Sequence, residues 1–116
     1  MITMTTMLDI KSSIEKTGSE RICKKLFELL AETLPEDQKK LISAVHSKQI
    51  DMARSIIHKM HGGLTYCQAP EYTRQILHIR ELLCQNKVDE ATAKIPLLQQ
   101  TAMQLLESIR EYCIND

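Results

Sequence analysis

The chain has 116 residues, of which 43% are hydrophobic and 26% charged, with equal numbers of acidic and basic side chains. This composition predicts one soluble globular domain spanning residues 1–116, with residues 1–7 flexible. The balanced charge and the absence of Trp argue against a nucleic-acid-binding protein, and no apolar run approaches the roughly 20 residues of a membrane span.

Apolar residues recur at helical spacing along the chain, and no segment alternates as a strand would. Residues 5–16 predict a short covering helix. Ser19 is a suitable N-cap for a helix over 20–33, and Pro35 suits the first turn of a third helix that ends near residue 47. The core-facing stripe predicted for 20–33 consists of Ile22, Leu26, Leu29 and Leu30.

Three further helical segments follow, over about 50–66, 70–85 and 89–114. Pro96 either kinks the last of them or begins a new helix after a short first piece. The predicted core positions after residue 40 are Leu41, Ile42, Val45, Ile50, Ala53, Ile57, Met60, Leu64, Tyr72, Ile76, Ile79, Leu83, Leu98, Ala102, Leu105, Ile109 and Cys113. We therefore expect an all-α fold, an antiparallel up-down four-helix bundle with an additional short N-terminal helix.

The N-terminus lacks the basic and apolar segments of a secretory signal, so we interpret the chain as cytoplasmic. Its four cysteines, which show no paired spacing, are expected to be free buried thiols rather than disulfides.

The helix predicted over 50–66 contains two histidines three residues apart, His58 and His61, followed by Gly62 and Gly63. Residues three or four apart share a helix face. The predicted surface stripe consists of Arg54, His58, His61, Gly62 and Thr65. Because a glycine inside a helix costs about 1 kcal/mol relative to alanine, two in succession need an explanation.

Gly62 would remove side-chain bulk beside His58, so that another protein could approach the imidazole closely. Gly63 is expected to point nearer the core, where it would let a neighbouring helix pack tightly. The purely structural alternative is that both glycines mark the end of the helix.

The residues by themselves leave three interpretations of the histidine pair. Imidazole titrates near neutral pH and is a good nucleophile, so His58 could accept a phosphoryl group. The two histidines could instead share a metal ion with Cys67. The third interpretation is a helical adaptor that binds partners without chemistry.

The stretch "HKMHGG" followed by "YCQAP", together with "LPEDQKK" before it, resembles the histidine-containing phosphotransfer (HPt) domain. More narrowly, it resembles the C-terminal HPt domains of BarA-type hybrid sensor histidine kinases. The resemblance covers most of the chain from Leu8 onward. It implies that His58 is the phospho-acceptor, that His61 donates a hydrogen bond to the phosphoryl group, and that Gly62 gives a receiver domain steric access.

The resemblance also implies a phosphorelay intermediate without autonomous kinase activity, free-standing or part of a hybrid kinase. A receiver-domain phosphoaspartate would phosphorylate His58, and a response-regulator receiver would take the group onward. The partners are these two receivers, and Mg²⁺ would be bound by the receiver; this monomeric chain would bind no metal or cofactor. Polar helpers on the helix after Pro70 are expected among Arg80, Gln75 and His78, and docking contacts at Ser55, Ile56 and the exposed edge of the second helix.

Overall fold

The computed structural model describes residues 7–114, so all but the last residue of the segment 1–7, which was expected to be flexible, lies outside the described residues. The described range contains only helices and no strand. These are α1 (Ile10–Thr17), α2 (Glu20–His46), α3 (Ile50–Leu64), α4 (Pro70–Cys84), α5 (Val88–Ala93) and α6 (Ile95–Ile114).

The four long helices, α2, α3, α4 and α6, form the predicted bundle. Helix α2 packs against α3 and α6, and α4 packs against the same two helices, so that the four elements close around one core. The connections after α2 and α3 are short, which makes successive helices antiparallel. The all-α bundle expected from the sequence is therefore confirmed. Between residues 7 and 114, no helix is both long enough and apolar enough to cross a bilayer.

Helix α2 corrects the predicted boundary at Pro35. The sequence suggested two helices, but Pro35 lies inside one helix of 27 residues. Phe27, Leu34 and Leu41 are each at most 2% exposed and stand seven residues apart, so one buried stripe continues across the proline. Burial of this stripe on both sides of Pro35 outweighs the roughly 3 kcal/mol cost of a proline inside a helix.

The buried face of α2 also differs from the predicted one. Ile22 and Leu29 are 48% and 54% exposed, whereas Cys23 and Phe27 are fully buried. The predicted N-cap is confirmed, because the Ser19 hydroxyl accepts a hydrogen bond from the Ile22 amide at 3.0 Å. The start of the helix was thus predicted correctly, and the error concerns which of two apolar stripes faces inward.

The other core predictions hold well. Of the core positions predicted after residue 40, all are buried except Ile42, Ile50 and Cys113, which are half-buried. Pro96 lies in the first turn of α6, after the short helix α5, so the second predicted alternative is correct. All four thiols are free, but Cys84 is exposed and Cys113 half-buried, which corrects the expectation that every cysteine is buried.

Helix α1 covers the connection that follows α3. The amide of Asp9 donates to the Gln68 carbonyl at 2.8 Å, and the Gln68 amide donates to the Ser13 hydroxyl at the same distance. Ser13 is completely buried, and its hydroxyl donates in turn to the Asp9 carbonyl at 2.8 Å. These bonds fix the end of α3, the helix that bears the two histidines.

Candidate functional site

The site is built on α3, whose inner face anchors the helix in the core. Ala53, Ile57, Met60 and Leu64 are each at most 5% exposed, at the three- and four-residue spacing of a single helix face. His58 follows Ile57 directly and is exposed. The fold therefore holds this imidazole on a rigid, well-packed helix while leaving it open to solvent.

The predicted surface stripe is confirmed. Arg54, His58, Gly62 and Thr65 are exposed, and His61 is half-buried. Within residues 7–114, no group forms a hydrogen bond with the imidazole of His58 or His61. A neutral imidazole has one nitrogen with a lone pair, and at His58 this lone pair is available to an electrophile that approaches from solvent.

Both glycines lie in the last turn of α3, which ends at Leu64. The Gly62 carbonyl accepts from the Thr65 amide at 3.3 Å, and the Gly63 carbonyl accepts from Tyr66 and Cys67 at 3.4 and 3.3 Å. This pattern is typical of a helix terminus that tightens before it ends. The interpretation that both glycines mark the end of the helix is therefore correct for their position. It does not describe what surrounds them.

The surroundings of the two glycines show where space is left free. A Cβ atom added to Gly62 would meet no other part of the described chain within 4 Å, and the same holds for Gly63. Gly62 thus leaves the surface beside His58 uncrowded. The expectation that Gly63 lets a neighbouring helix pack tightly is wrong, because Gly63 is exposed and no helix approaches it closely.

A cation next to His58 is held by an ion pair to α2. The Lys59 ammonium lies 3.2 Å from Asp37 Oδ1, and the side chains are 70% and 13% exposed. Such exposed pairs stabilise a fold by at most about 1 kcal/mol. The pair links α3 to α2, and the sequence analysis did not single it out.

An apolar surface of α2 runs beside the end of α3. We call it the apolar α2 face, and it consists of Ile22, Leu26, Leu29 and Leu30. Leu29 and Leu30 lie beside the end of α3. Tyr66, just after α3, is 51% exposed and lines a groove with Leu26, Leu29 and Leu30. The spacing of these leucines was visible in the sequence and was interpreted as core. That interpretation is wrong for Leu29, which is 54% exposed, whereas Leu26 and Leu30 are half-buried and pack against the core.

The predicted helpers on α4 differ in their surroundings. Gln75 is 8% exposed, and its Nε2 donates to Glu71 Oε2 at 2.9 Å and to Thr101 Oγ1 at 2.8 Å. Because these bonds occupy its amide nitrogen inside the α4–α6 interface, Gln75 is not available to donate a hydrogen bond near His58. Arg80 is half-buried and His78 is exposed, and the role of either one stays a prediction.

The metal interpretation finds no supporting cluster. No group of three or more His, Cys, Asp or Glu side chains in the described range is arranged to hold a metal ion. Cys67, the third ligand considered, is 4% exposed. Burial, together with the nearby Cys23 and Cys113, raises the pKa of its thiol to about 11, which keeps it in the protonated form that binds metal poorly.

Comparison with known proteins identifies the fold. The HPt domain of the Hpt sensor hybrid histidine kinase from Shewanella has a solved structure with a TM-score of 0.82 and 20% sequence identity, over 95% of this chain and 96% of that one. No protein-family model matches the sequence, and no curated protein matches it. The chain therefore has the fold of an HPt domain.

Proposed function

We propose that this chain is a phosphorelay intermediate of two-component signalling, and that His58 carries the phosphoryl group. The observation that supports this most directly is an exposed imidazole, with no hydrogen-bond partner in residues 7–114, on the rigid helix α3. The HPt fold is consistent with the same role. The half-buried His61 and the uncrowded Gly62 stand on either side of the approach to this imidazole.

The proposed reaction is a direct displacement at phosphorus. A neutral ring nitrogen of His58 attacks the phosphorus of a receiver's phosphoaspartate, a P–N bond forms, and the P–O bond to the aspartate breaks. The aspartate leaves as a carboxylate. Transfer to a second receiver reverses these steps, with that receiver's aspartate as nucleophile and His58 as the leaving group.

The contribution of this chain to catalysis is positioning. In phosphoryl transfer most catalysis comes from alignment of the reacting groups and from charge stabilisation. Mg²⁺ and the acidic residues that bind it belong to the receiver in this proposal. His61 donates a hydrogen bond to a phosphoryl oxygen, and Gly62 leaves room for the receiver's active-site loops. Arg80 and His78 are the remaining candidates for a polar helper from α4.

The proposed partners are the receiver domain of a hybrid sensor kinase and that of a response regulator. Since the chain exchanges a phosphoryl group without using a nucleotide, it acts as a carrier rather than as a kinase. We place the reaction in the cytoplasm, with the chain acting as a monomer.

A labelling experiment tests this proposal. The wild-type chain, His58→Gln and the matched control His61→Gln are each mixed with a panel of phosphorylated receiver domains and Mg²⁺, and acid-labile, base-stable phosphate on the chain is counted. We expect label on the wild type, slower labelling of His61→Gln, and none on His58→Gln.

Two results would contradict the proposal. Label that persists in His58→Gln but disappears in His61→Gln would move the acceptor to His61. No label on any of the three chains, with every receiver tried, would favour an adaptor that binds partners without chemistry, for which the apolar α2 face offers a surface.

A further inference from the structure

Helix α6 carries the two most exposed large apolar side chains of the described residues. Met103 and Ile114 are 73% and 70% exposed. Their separation along the chain is close to three helical turns, so both project from the same outer face of α6. Two such side chains on one helix face form a candidate contact surface, whereas scattered single ones are normal on any protein.

An ion pair lies between these two apolar side chains. Arg110 Nη2 pairs with Glu107 Oε1, and the two side chains are 65% and 53% exposed. The order along the face is therefore apolar, acidic, basic and apolar, and the steps between members are four, three and four residues. Steps that alternate between three and four residues are typical of a helix face that contacts a second helix.

A groove runs beside this face, between α6 and α2. It has a volume of about 600 Å³ and is lined by Glu28 and Ala31 of α2 and by Met103, Leu106 and Arg110 of α6. The described chain does not fill the groove. An apolar side chain of a second molecule that lies along α6 therefore finds a recess next to Met103.

The pattern on α6 is complementary to itself when a second copy lies antiparallel. A twofold axis between residues 108 and 109 sets position 103 opposite position 114 of the other copy, and position 107 opposite position 110. Apolar then meets apolar and acid meets base, and each contact occurs twice, as a closed twofold interface requires. A parallel arrangement would instead set Glu107 against Glu107 and Arg110 against Arg110.

We propose that this face of α6, which consists of Met103, Glu107, Arg110 and Ile114 and is called the α6 face below, binds the α6 face of a second copy of this chain in an antiparallel pair. Opposite charge at both central contacts fixes the register and the direction of the two helices. The contact is small, so the dimer is weak, with a dissociation constant on the order of 100 µM.

Pairing through the α6 face leaves the His58 surface free. Helix α6 packs against α2, α4 and α5, and no contact between the described helices joins it to α3. Helices α3 and α6 therefore lie diagonally across the bundle. Each chain of the pair transfers phosphoryl groups as a monomer does, and the pairing does not depend on the proposed function.

The test reverses the two charges one at a time. Sedimentation of the wild type between about 10 and 500 µM should show the average mass rise towards that of two chains. Glu107→Arg and Arg110→Glu each set like charges opposite one another, so we expect each to raise the dissociation constant at least about tenfold. An equimolar mixture of the two variants restores opposite charges at both contacts and should associate about as tightly as the wild type.

Arg74→Glu is the matched control. Arg74 is 63% exposed and pairs with Glu71 three residues away on α4, so this variant changes net charge and a local ion pair equally but leaves the α6 face intact. It should associate like the wild type, and so should His58→Gln. Mixed with Glu107→Arg it should form no mixed pair, because two arginines then oppose each other. Thermal unfolding of dilute samples verifies that every variant folds.

Four outcomes overturn the proposal. The first is a wild-type mass that stays at one chain up to about 500 µM. The second is association that survives in both single variants. The third is an equimolar mixture of Glu107→Arg and Arg110→Glu that remains monomeric. The fourth is a mixed pair between Glu107→Arg and Arg74→Glu, which would assign the association to net charge rather than to the α6 face.

Discussion

Helix α2 carries two apolar stripes that meet opposite environments. One stripe, with Cys23, Phe27 and Leu34, is at most 2% exposed. The other, the apolar α2 face, includes Ile22 and Leu29, which are about half exposed. The contrast teaches that helical spacing of apolar residues identifies an amphipathic helix, while the neighbouring helices determine which stripe becomes core.

The two stripes also differ in extent. The buried one continues to Leu41 and Val45 through the whole helix, as a stripe must when α3 and α6 pack along its length. The exposed one stops near Thr33, beside the end of α3 and the groove that Tyr66 lines. A short exposed apolar surface of this kind is better explained by partner binding than by packing within the bundle.

The largest expected effect comes from the buried stripe. Phe27 is fully buried and forms an edge-to-face contact with Tyr112, with the ring centroids 5.7 Å apart. Phe27→Ala removes this contact and leaves a cavity, so we expect the free energy of unfolding to fall by about 3–5 kcal/mol. Denaturant titration measures this. A loss below about 1 kcal/mol would mean that this stripe is not the packed one.

An intermediate effect is expected for the exposed stripe, and it concerns transfer rather than stability. Leu29→Glu places a charge on the apolar α2 face, so kcat/KM for the receiver should fall by about tenfold to a hundredfold, while the free energy of unfolding changes by less than about 0.5 kcal/mol. Met103→Glu is the matched control. Met103 is 73% exposed in a separate groove between α2 and α6.

We expect Met103→Glu to leave both transfer and stability near the wild-type values. That groove is bordered by the charged side chains Glu28, Glu107 and Arg110, and the proposed receiver does not use it. Equal losses of transfer in the two variants would show that exposed apolar surface matters in general, and that the apolar α2 face has no special role.

The smallest effect tests the boundary between buried and exposed surface. Cys67 borders the groove beside the apolar α2 face, yet burial raises the pKa of its thiol from 9.0 to about 11. Between these values the unfolded chain loses the proton and the folded chain keeps it. The contribution of Cys67 to stability is therefore complete below about pH 9 and is lost as the pH rises towards 11.

The measurement compares how the free energy of unfolding depends on pH in the wild type and in Cys67→Ala. The difference between the two curves reports Cys67 alone, because the other groups titrate in both chains. We expect the wild type to lose more stability between pH 9 and 11. Parallel curves would show that water reaches Cys67 and that the groove extends deeper than the structure indicates. A thiol reagent provides a second check, because the exposed Cys84 should react well before Cys67.

Local patterns along the sequence determined much of this protein. The spacing of Ala53, Ile57, Met60 and Leu64 was enough to place His58 on the outer face of α3, because these four residues form the buried face of that helix. Ser19 and Pro70 marked helix starts for local steric and hydrogen-bonding reasons. The role of His58 itself stays a prediction from the motif and its exposure.

Tertiary structure decided the features that depend on neighbouring helices. Pro35 remains inside α2, and Leu29 faces solvent, because α3 and α6 bury the stripe that contains Phe27. Gly63 faces a groove rather than a helix for the same reason. A single sequence contains the spacing of apolar residues along each helix. How each helix is rotated against its neighbours depends on the apolar surface that the whole bundle leaves exposed. That rotation is therefore decided only when the helices pack together.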